Sequence, residues 1–67
     1  MPFVTVQILA GHSQQRKDEM SKRITTAIAD VAELPPEGIW VVFEDVTPQD
    51  WYIAGTTVGE LKKAGKL

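Results

Sequence analysis

The sequence contains no cysteine and only one histidine, and each shortage excludes a class of site. Without cysteine the chain has no disulfide, no thiolate ligand for a metal and no thiol nucleophile. A single imidazole, that of His12, cannot build a cage of several histidines around a metal ion. We therefore expect no metal site.

Long apolar runs and concentrated positive charge are also missing. No run approaches the ~18 residues that a membrane span needs, and the opening residues, MPFVTVQIL, lack the basic region of a signal peptide. The formal net charge is -2 with both signs dispersed, whereas nucleic-acid binders concentrate lysine and arginine on one face. We expect a cytoplasmic protein that binds neither membrane nor nucleic acid.

The chain has 67 residues, which is enough for one domain (residues 1–67) and too few for two. A domain this short seldom buries enough apolar surface alone, and the usual remedies are disulfides, a metal or oligomerisation. Since the first two are not expected here, the length predicts self-association.

The spacing of apolar residues predicts a strand followed by a long helix. Residues 3–9 are rich in β-branched and aromatic types and alternate between two faces. Ser13 is a good N-cap, and Pro35-Pro36 stops a helix that runs from Gln14 to about Glu33. Its apolar positions recur at spacings of three and four, as an amphipathic helix requires; they are Met20, Ile24, Ala27, Ile28, Val31 and Leu34.

Residues 39–44 predict a second strand that is apolar on both faces. A strand of this kind is normally covered on both sides, whereas one helix covers only one face of a two-stranded sheet. The second face must therefore meet another subunit. The two faces consist of Ile39, Val41 and Phe43 on one side and of Trp40 and Val42 on the other.

Strand, helix and strand in this order predict a β-α-β unit of the α+β class, with parallel strands and a right-handed crossover. A turn-rich loop follows at residues 45–50, and residues 51–55 predict a short hairpin. We expect the tail, about residues 56–67, to be mobile or swapped onto a neighbour, with at most one helical turn around residues 60–63.

Four segments, in their order and spacing, resemble the 4-oxalocrotonate tautomerase family. They are Pro2 to Leu9, Gly11-His12-Ser13, Pro35 with the strand that follows it, and Trp51 to Gly55. The resemblance implies a β-α-β subunit, dimers whose two sheets join into one, and usually a homohexamer built as a trimer of dimers. It also implies tautomerisation of enol and keto acids without a cofactor, with an N-terminal proline as the base.

The resemblance makes Pro2 the candidate catalytic residue. If Met1 is removed, Pro2 has a free secondary amine; an α-amino group titrates near ~7.7–8.0, and burial beside apolar groups lowers that pKa. Leu9, Trp40 and Trp51 are candidate substrate-binding residues that form such an apolar wall in the oligomer. A neutral amine can act as general base and then acid, or can attack a carbonyl to form an iminium. If Met1 stays attached, Pro2 is an amide and the base is lost. The alternative is that Pro2 is merely a tolerated second residue.

Two positions depart from the family's pattern. His12 stands where the better-known tautomerases have an arginine that grips a substrate carboxylate, and Trp40 stands where a second arginine is common. Both replacements remove a permanently charged, bidentate group. They predict a flatter and less charged substrate, such as an aromatic enol or keto acid, with His12 and Trp40 still contacting it. The alternatives are that His12 covers the helix start and that Trp40 packs in an interface.

Two functions remain open at this point. The first is a cofactor-independent isomerase that interconverts the enol and keto forms of a small 2-keto acid. Hydration or dehalogenation is a variant, but neither the carboxylate nor the arginine that it needs is evident. The second is a non-catalytic partner subunit of a mixed oligomer, or a scaffold that binds small ligands.

Overall fold

The computed structural model describes residues 2–67, so Met1 and its removal lie outside the described residues. The elements confirm the predicted β-α-β unit with a C-terminal hairpin. In chain order they are β1 (Phe3–Leu9), α1 (Gln14–Ala32), a 3-10 turn (Pro36–Gly38), β2 (Trp40–Val46), β3 (Tyr52–Ile53), β4 (Thr56–Thr57) and α2 (Val58–Lys63). Within residues 2–67, neither helix has the length and apolarity that crossing a membrane requires.

Strands β1 and β2 form a parallel two-stranded sheet, as predicted. Phe3 is paired with Trp40 at one end and Leu9 with Val46 at the other. The ladder continues one residue further, because the Ala10 amide donates to the Val46 carbonyl at 2.8 Å. This pairing explains why β2 begins one residue later and ends two residues later than the sequence indicated.

Helix α1 begins and ends close to its predicted bounds. The Ser13 hydroxyl accepts a hydrogen bond from the Arg16 amide at 3.2 Å, which confirms Ser13 as the N-cap. At the other end Glu33 takes a left-handed conformation with φ 55°, and the Glu33 and Leu34 amides both donate to the Ala29 carbonyl. This closing pattern uses a carbonyl that the helix leaves free at its end, so the helix stops before Pro35 is reached.

The apolar stripe of α1 differs in part from the predicted one. Ala27 is exposed, and Val31 is 86% exposed. The helix is about 28 Å long at 1.5 Å per residue, whereas each seven-residue strand is about 23 Å long. Val31, in the last turns, therefore has too little sheet to pack against. The half-buried residues from Lys17 to Ile28 recur at the required spacing; they are Lys17, Met20, Ser21, Ile24, Thr25 and Ile28.

The sheet is covered on one face only. Val41 and Phe43 face α1, while Phe3, Trp40 and Val42 on the opposite face are 61%, 54% and 39% exposed. Among residues 2–67 only two apolar side chains are buried, those of Ile39 and Val58. The radius of gyration is 15.3 Å, against about 11 Å for a globular chain of this length. One chain thus lacks a core of ordinary size.

The hairpin and tail are more ordered than the sequence indicated. Ala54 and Gly55 connect β3 to β4 with φ values of 52° and 83°, both positive as in a type I′ turn. Helix α2 then begins at Val58, two residues before the predicted turn, because Thr57 caps it. The Val58 side chain is 2% exposed, so α2 is packed onto its own chain. Exchange of this segment with a neighbouring subunit stays a prediction.

Candidate active site

Pro2 and Trp40 lie together at one end of the sheet. The Trp40 amide donates to the Pro2 carbonyl at 3.0 Å, which extends the parallel ladder by one residue. The rings of Phe3 and Trp40 are tilted by 42° with centroids 6.1 Å apart, a favourable aromatic arrangement. Pro2 itself is half-buried. The candidate base therefore has a fixed main-chain position beside two exposed aromatic rings.

Leu9 and His12 lie at the opposite end. Leu9 is the last residue of β1, and His12 follows it in the turn before α1. Six residue steps along an extended strand separate Phe3 from Leu9 by about 20 Å. Leu9 is half-buried and His12 is exposed. Within one chain, neither side chain can reach Pro2.

Trp51 lies at the same end as Leu9. It lines a cleft of about 280 Å³ together with Gln7, Val46, Asp50 and Tyr52, and Val46 is the residue that pairs with Leu9. The Trp51 carbonyl accepts a hydrogen bond from the Val58 amide at 2.8 Å. Helix α2 therefore holds Trp51 in place, a positioning role that the sequence did not reveal.

The five predicted site residues thus form two groups. Pro2 and Trp40 make up the first group, and Leu9, His12 and Trp51 make up the second at the far end of the sheet. A site that contains all five requires at least two copies of the chain. The Pro2 end of the sheet in one copy must lie against the Leu9 end of the sheet in another. That the site forms between subunits stays a prediction.

Polar residues that the sequence did not single out lie near the second group. Gln7 donates to the Glu44 carboxylate at 3.1 Å on the uncovered face of the sheet, and Asp50 lines the Trp51 cleft. Their types alone carry no signal. Asp50 precedes Trp51 in the chain, but only the folded loop places it in one cleft with Gln7 and Val46. Glu44 and Asp45 are adjacent on β2 and point to opposite faces, since Asp45 pairs with Lys17 of α1 at 2.7 Å.

His12 lines a second cleft of about 280 Å³ with four residues of α1: Arg16, Glu19, Met20 and Arg23. The helical spacing of these four could have indicated a common face, but the position of His12 over them depends on the turn at Gly11. Gly11 has φ 122°, a conformation that favours glycine. In the described part of the chain, no three acidic or histidine side chains cluster as a metal site requires.

Residues 2–61 match the family described as Tautomerase enzyme. A probable tautomerase of Streptococcus agalactiae serotype III (strain NEM316), gbs1111, is 35% identical over 63 residues, which are 94% of this chain and 98% of that protein.

Two solved structures show the same fold. TomN, a 4-oxalocrotonate tautomerase homologue in the tomaymycin biosynthetic pathway, has a TM-score of 0.90 with 27% identity over 92% of this chain and 95% of its own. A chain of the heterohexamer 4-oxalocrotonate tautomerase from Chloroflexus aurantiacus J-10-fl has a TM-score of 0.86 with 24% identity, over 91% of this chain and 98% of its own.

Proposed function

Because this chain belongs to the tautomerase family, we propose that it is a keto–enol isomerase in which the amine of Pro2 is the general base and then the general acid. The observation that carries the proposal is that the family match begins at Pro2 itself. A proline at the first position of a mature chain has a secondary amine as its only nitrogen group. That amine needs no cofactor to move a proton.

The proposed step conserves all atoms of the substrate. The neutral amine takes the proton of the enol hydroxyl, the carbonyl forms, and the resulting ammonium returns a proton to the carbon that becomes saturated. The amine must be neutral at the start, so activity is expected to fall as the pH drops below its pKa. The rings of Phe3 and Trp40, which are exposed in a single chain, form the apolar surface beside Pro2 that a second subunit covers in the proposed site.

The groups near the candidate site favour a substrate with one carboxylate and a flat body. Trp40 and Trp51 offer aromatic faces, on which a conjugated enol stacks. Positions 12 and 40 have no arginine, and Asp50 adds negative charge to the Trp51 cleft. A second carboxylate would meet that charge, so we propose an aromatic enol or keto acid as the substrate class.

We further propose that the active species is a homohexamer, as the resemblance implies. The exposed apolar face of the sheet and the separation of Pro2 from His12 support an assembly that covers the face and joins the two groups. Each chain then provides Pro2 and Trp40 to one site, and its second group of residues to another. The site and the missing core are completed by the same contacts.

The proposed base is tested by replacing it. Intact-mass measurement first establishes whether Met1 is absent from the purified protein. Ultraviolet ketonisation assays then compare wild type with Pro2→Ala on phenylenolpyruvate and on a 2-hydroxydienoate that carries two carboxylates. Pro2→Ala should abolish turnover of both and leave the oligomer intact, whereas the exposed Pro36→Ala should leave turnover unchanged. Full activity of Pro2→Ala refutes the proposed base, and faster turnover of the dicarboxylate refutes the substrate class.

A second candidate is a non-catalytic subunit of a mixed oligomer, which the missing arginines at positions 12 and 40 favour. The fold is compatible with a mixed assembly, since the Chloroflexus aurantiacus heterohexamer has it. Native mass spectrometry after co-expression with a neighbouring paralogue tests this candidate. A fully active assembly of this chain alone rules it out.

A further inference from the structure

The chain has two arginines, Arg16 and Arg23, and both line the cleft that contains His12. They differ in their partners. The Arg23 Nε donates to the Glu19 carboxylate at 2.9 Å, one helical turn away. The guanidinium of Arg16 has no ion pair or hydrogen bond with any of the described residues, and only its main-chain amide is bound, by Ser13. Arg16 therefore has its full set of donors available.

Arg16 and His12 line the same cleft at the start of α1. Side chains of a helix lean toward its N-terminus, and Arg16 lies in the first turn of α1, immediately after the turn that carries His12. That first turn contains no acidic residue that would compete for the guanidinium. Met20 contributes an apolar wall to the same cleft, which has a volume of about 280 Å³.

The other cations of the chain are less suited to this place. Lys17 is held by Asp45 at 2.7 Å on the side of the helix that faces the sheet. Lys22 lies on α1 but does not line the cleft, whereas Lys62 and Lys63 lie on α2 and Lys66 follows it. A lysine is also a point charge, whereas a guanidinium matches the two oxygens of a carboxylate with two parallel hydrogen bonds.

We propose that Arg16 is a substrate-binding residue that holds the carboxylate of the enol acid, with His12 donating one hydrogen bond to the same group. This inference rests on the proposed function and extends it. Arg16, which follows position 12 by four residues, supplies the permanently charged guanidinium that His12 lacks. Because the cleft has one unpaired guanidinium, it serves one carboxylate, which specifies a monocarboxylate substrate.

The test compares Arg16→Gln with the control variant Lys22→Gln, using phenylenolpyruvate and its methyl ester. Lys22→Gln removes a positive charge from an exposed residue of α1 that does not line the cleft. A charge-assisted, bidentate contact corresponds to a loss of about 10-fold to 100-fold when it is removed. Arg16→Gln should lower kcat/KM for the acid by that factor, mainly through KM. It should leave kcat/KM for the ester unchanged, because the ester has no carboxylate to hold. Lys22→Gln should change kcat/KM for neither substrate by more than about twofold, since solvent and salt screen an exposed charge outside the cleft.

Binding measurements separate this inference from the proposed base. Titration of phenylpyruvate, followed by tryptophan fluorescence, is carried out on wild type, Pro2→Ala, Arg16→Gln and Arg16→Lys, each checked by sedimentation for an intact assembly. Pro2→Ala should bind, Arg16→Gln should bind at least 10-fold more weakly, and Arg16→Lys should be intermediate. Wild-type affinity in Arg16→Gln overturns the inference, as does an equal loss of kcat/KM on acid and ester, whatever Pro2→Ala does to turnover.

Discussion

Replacing Val42 with glutamate tests whether the uncovered face of the sheet is an interface. Val42 lies in the middle of β2 on the side away from α1, 39% exposed, with Trp40 and Phe3 nearby on the same face. If this face stays in water, a carboxylate there costs little. If another subunit covers it, each subunit must bury an unpaired charge.

The expected magnitude follows from the exposed areas. Phe3 and Trp40 are 61% and 54% exposed, so with about 200 Å² per aromatic side chain they leave roughly 230 Å² open, worth about 6 kcal/mol per subunit when covered. The burial of an unpaired carboxylate costs several kcal/mol in each subunit. The two quantities are comparable, so Val42→Glu should remove most of the stabilisation that assembly provides.

Sedimentation and thermal unfolding provide the assay. Wild type should sediment as an oligomer, and its Tm should rise with protein concentration because assembly stabilises the folded chain. Val42→Glu should dissociate at micromolar concentration and lose cooperative unfolding. Thr26→Glu, which adds the same charge to an exposed position of α1, should behave as wild type. An intact oligomer of Val42→Glu with the wild-type Tm refutes the reasoning, as does a wild-type monomer.

Two further substitutions test the support and the charge of the Trp51 cleft. Val58→Ala removes two methyl groups from a side chain that is 2% exposed. It should lower the free energy of unfolding, measured by heat or urea, by about 2 kcal/mol. Unchanged stability would contradict the packing of α2 onto its own chain. Asp50→Asn removes the negative charge beside Trp51. It should raise the ratio of kcat/KM for the dicarboxylate to kcat/KM for the monocarboxylate by about threefold to tenfold. An unchanged ratio would show that Asp50 does not act on the bound substrate.

The main elements could be predicted because their signals are local. The alternation of residues 3–9 fixes β1 to the residue, and Ser13 marks the start of α1. The end of β2 depends on a partner distant in the sequence, whereas α2 begins at a local cap, the Thr57 side chain. Val46 joins the ladder because the Ala10 amide donates to its carbonyl, and the Val58 amide fixes α2 to the loop by donating to the Trp51 carbonyl. No residue pattern along the chain records these contacts.

The residues of the candidate site could be named from the sequence, but the pairing of their neighbours could not. Pro2, His12, Trp40 and Trp51 are conspicuous by type and by position in the ordered motifs. Their division between two ends of the sheet follows from the parallel register, which the topology implies. That the Arg16 guanidinium is unpaired could not be predicted. Glu19 is one helical turn from both Arg16 and Arg23, and only the structure shows that its carboxylate pairs with Arg23.

The scarcity of buried residues also constrains how this sequence can diverge. With only Ile39 and Val58 buried among residues 2–67, most apolar positions are open to contacts with neighbouring copies in the proposed assembly. In an assembly of identical chains, a substitution at Trp40 is present in every subunit and changes all equivalent contacts at once. A compensating substitution is likewise present in every subunit. A duplicated gene removes that coupling, since one copy can keep Pro2 while the other adjusts the surface that faces it. Families of such short subunits therefore have a direct route from identical to mixed assemblies.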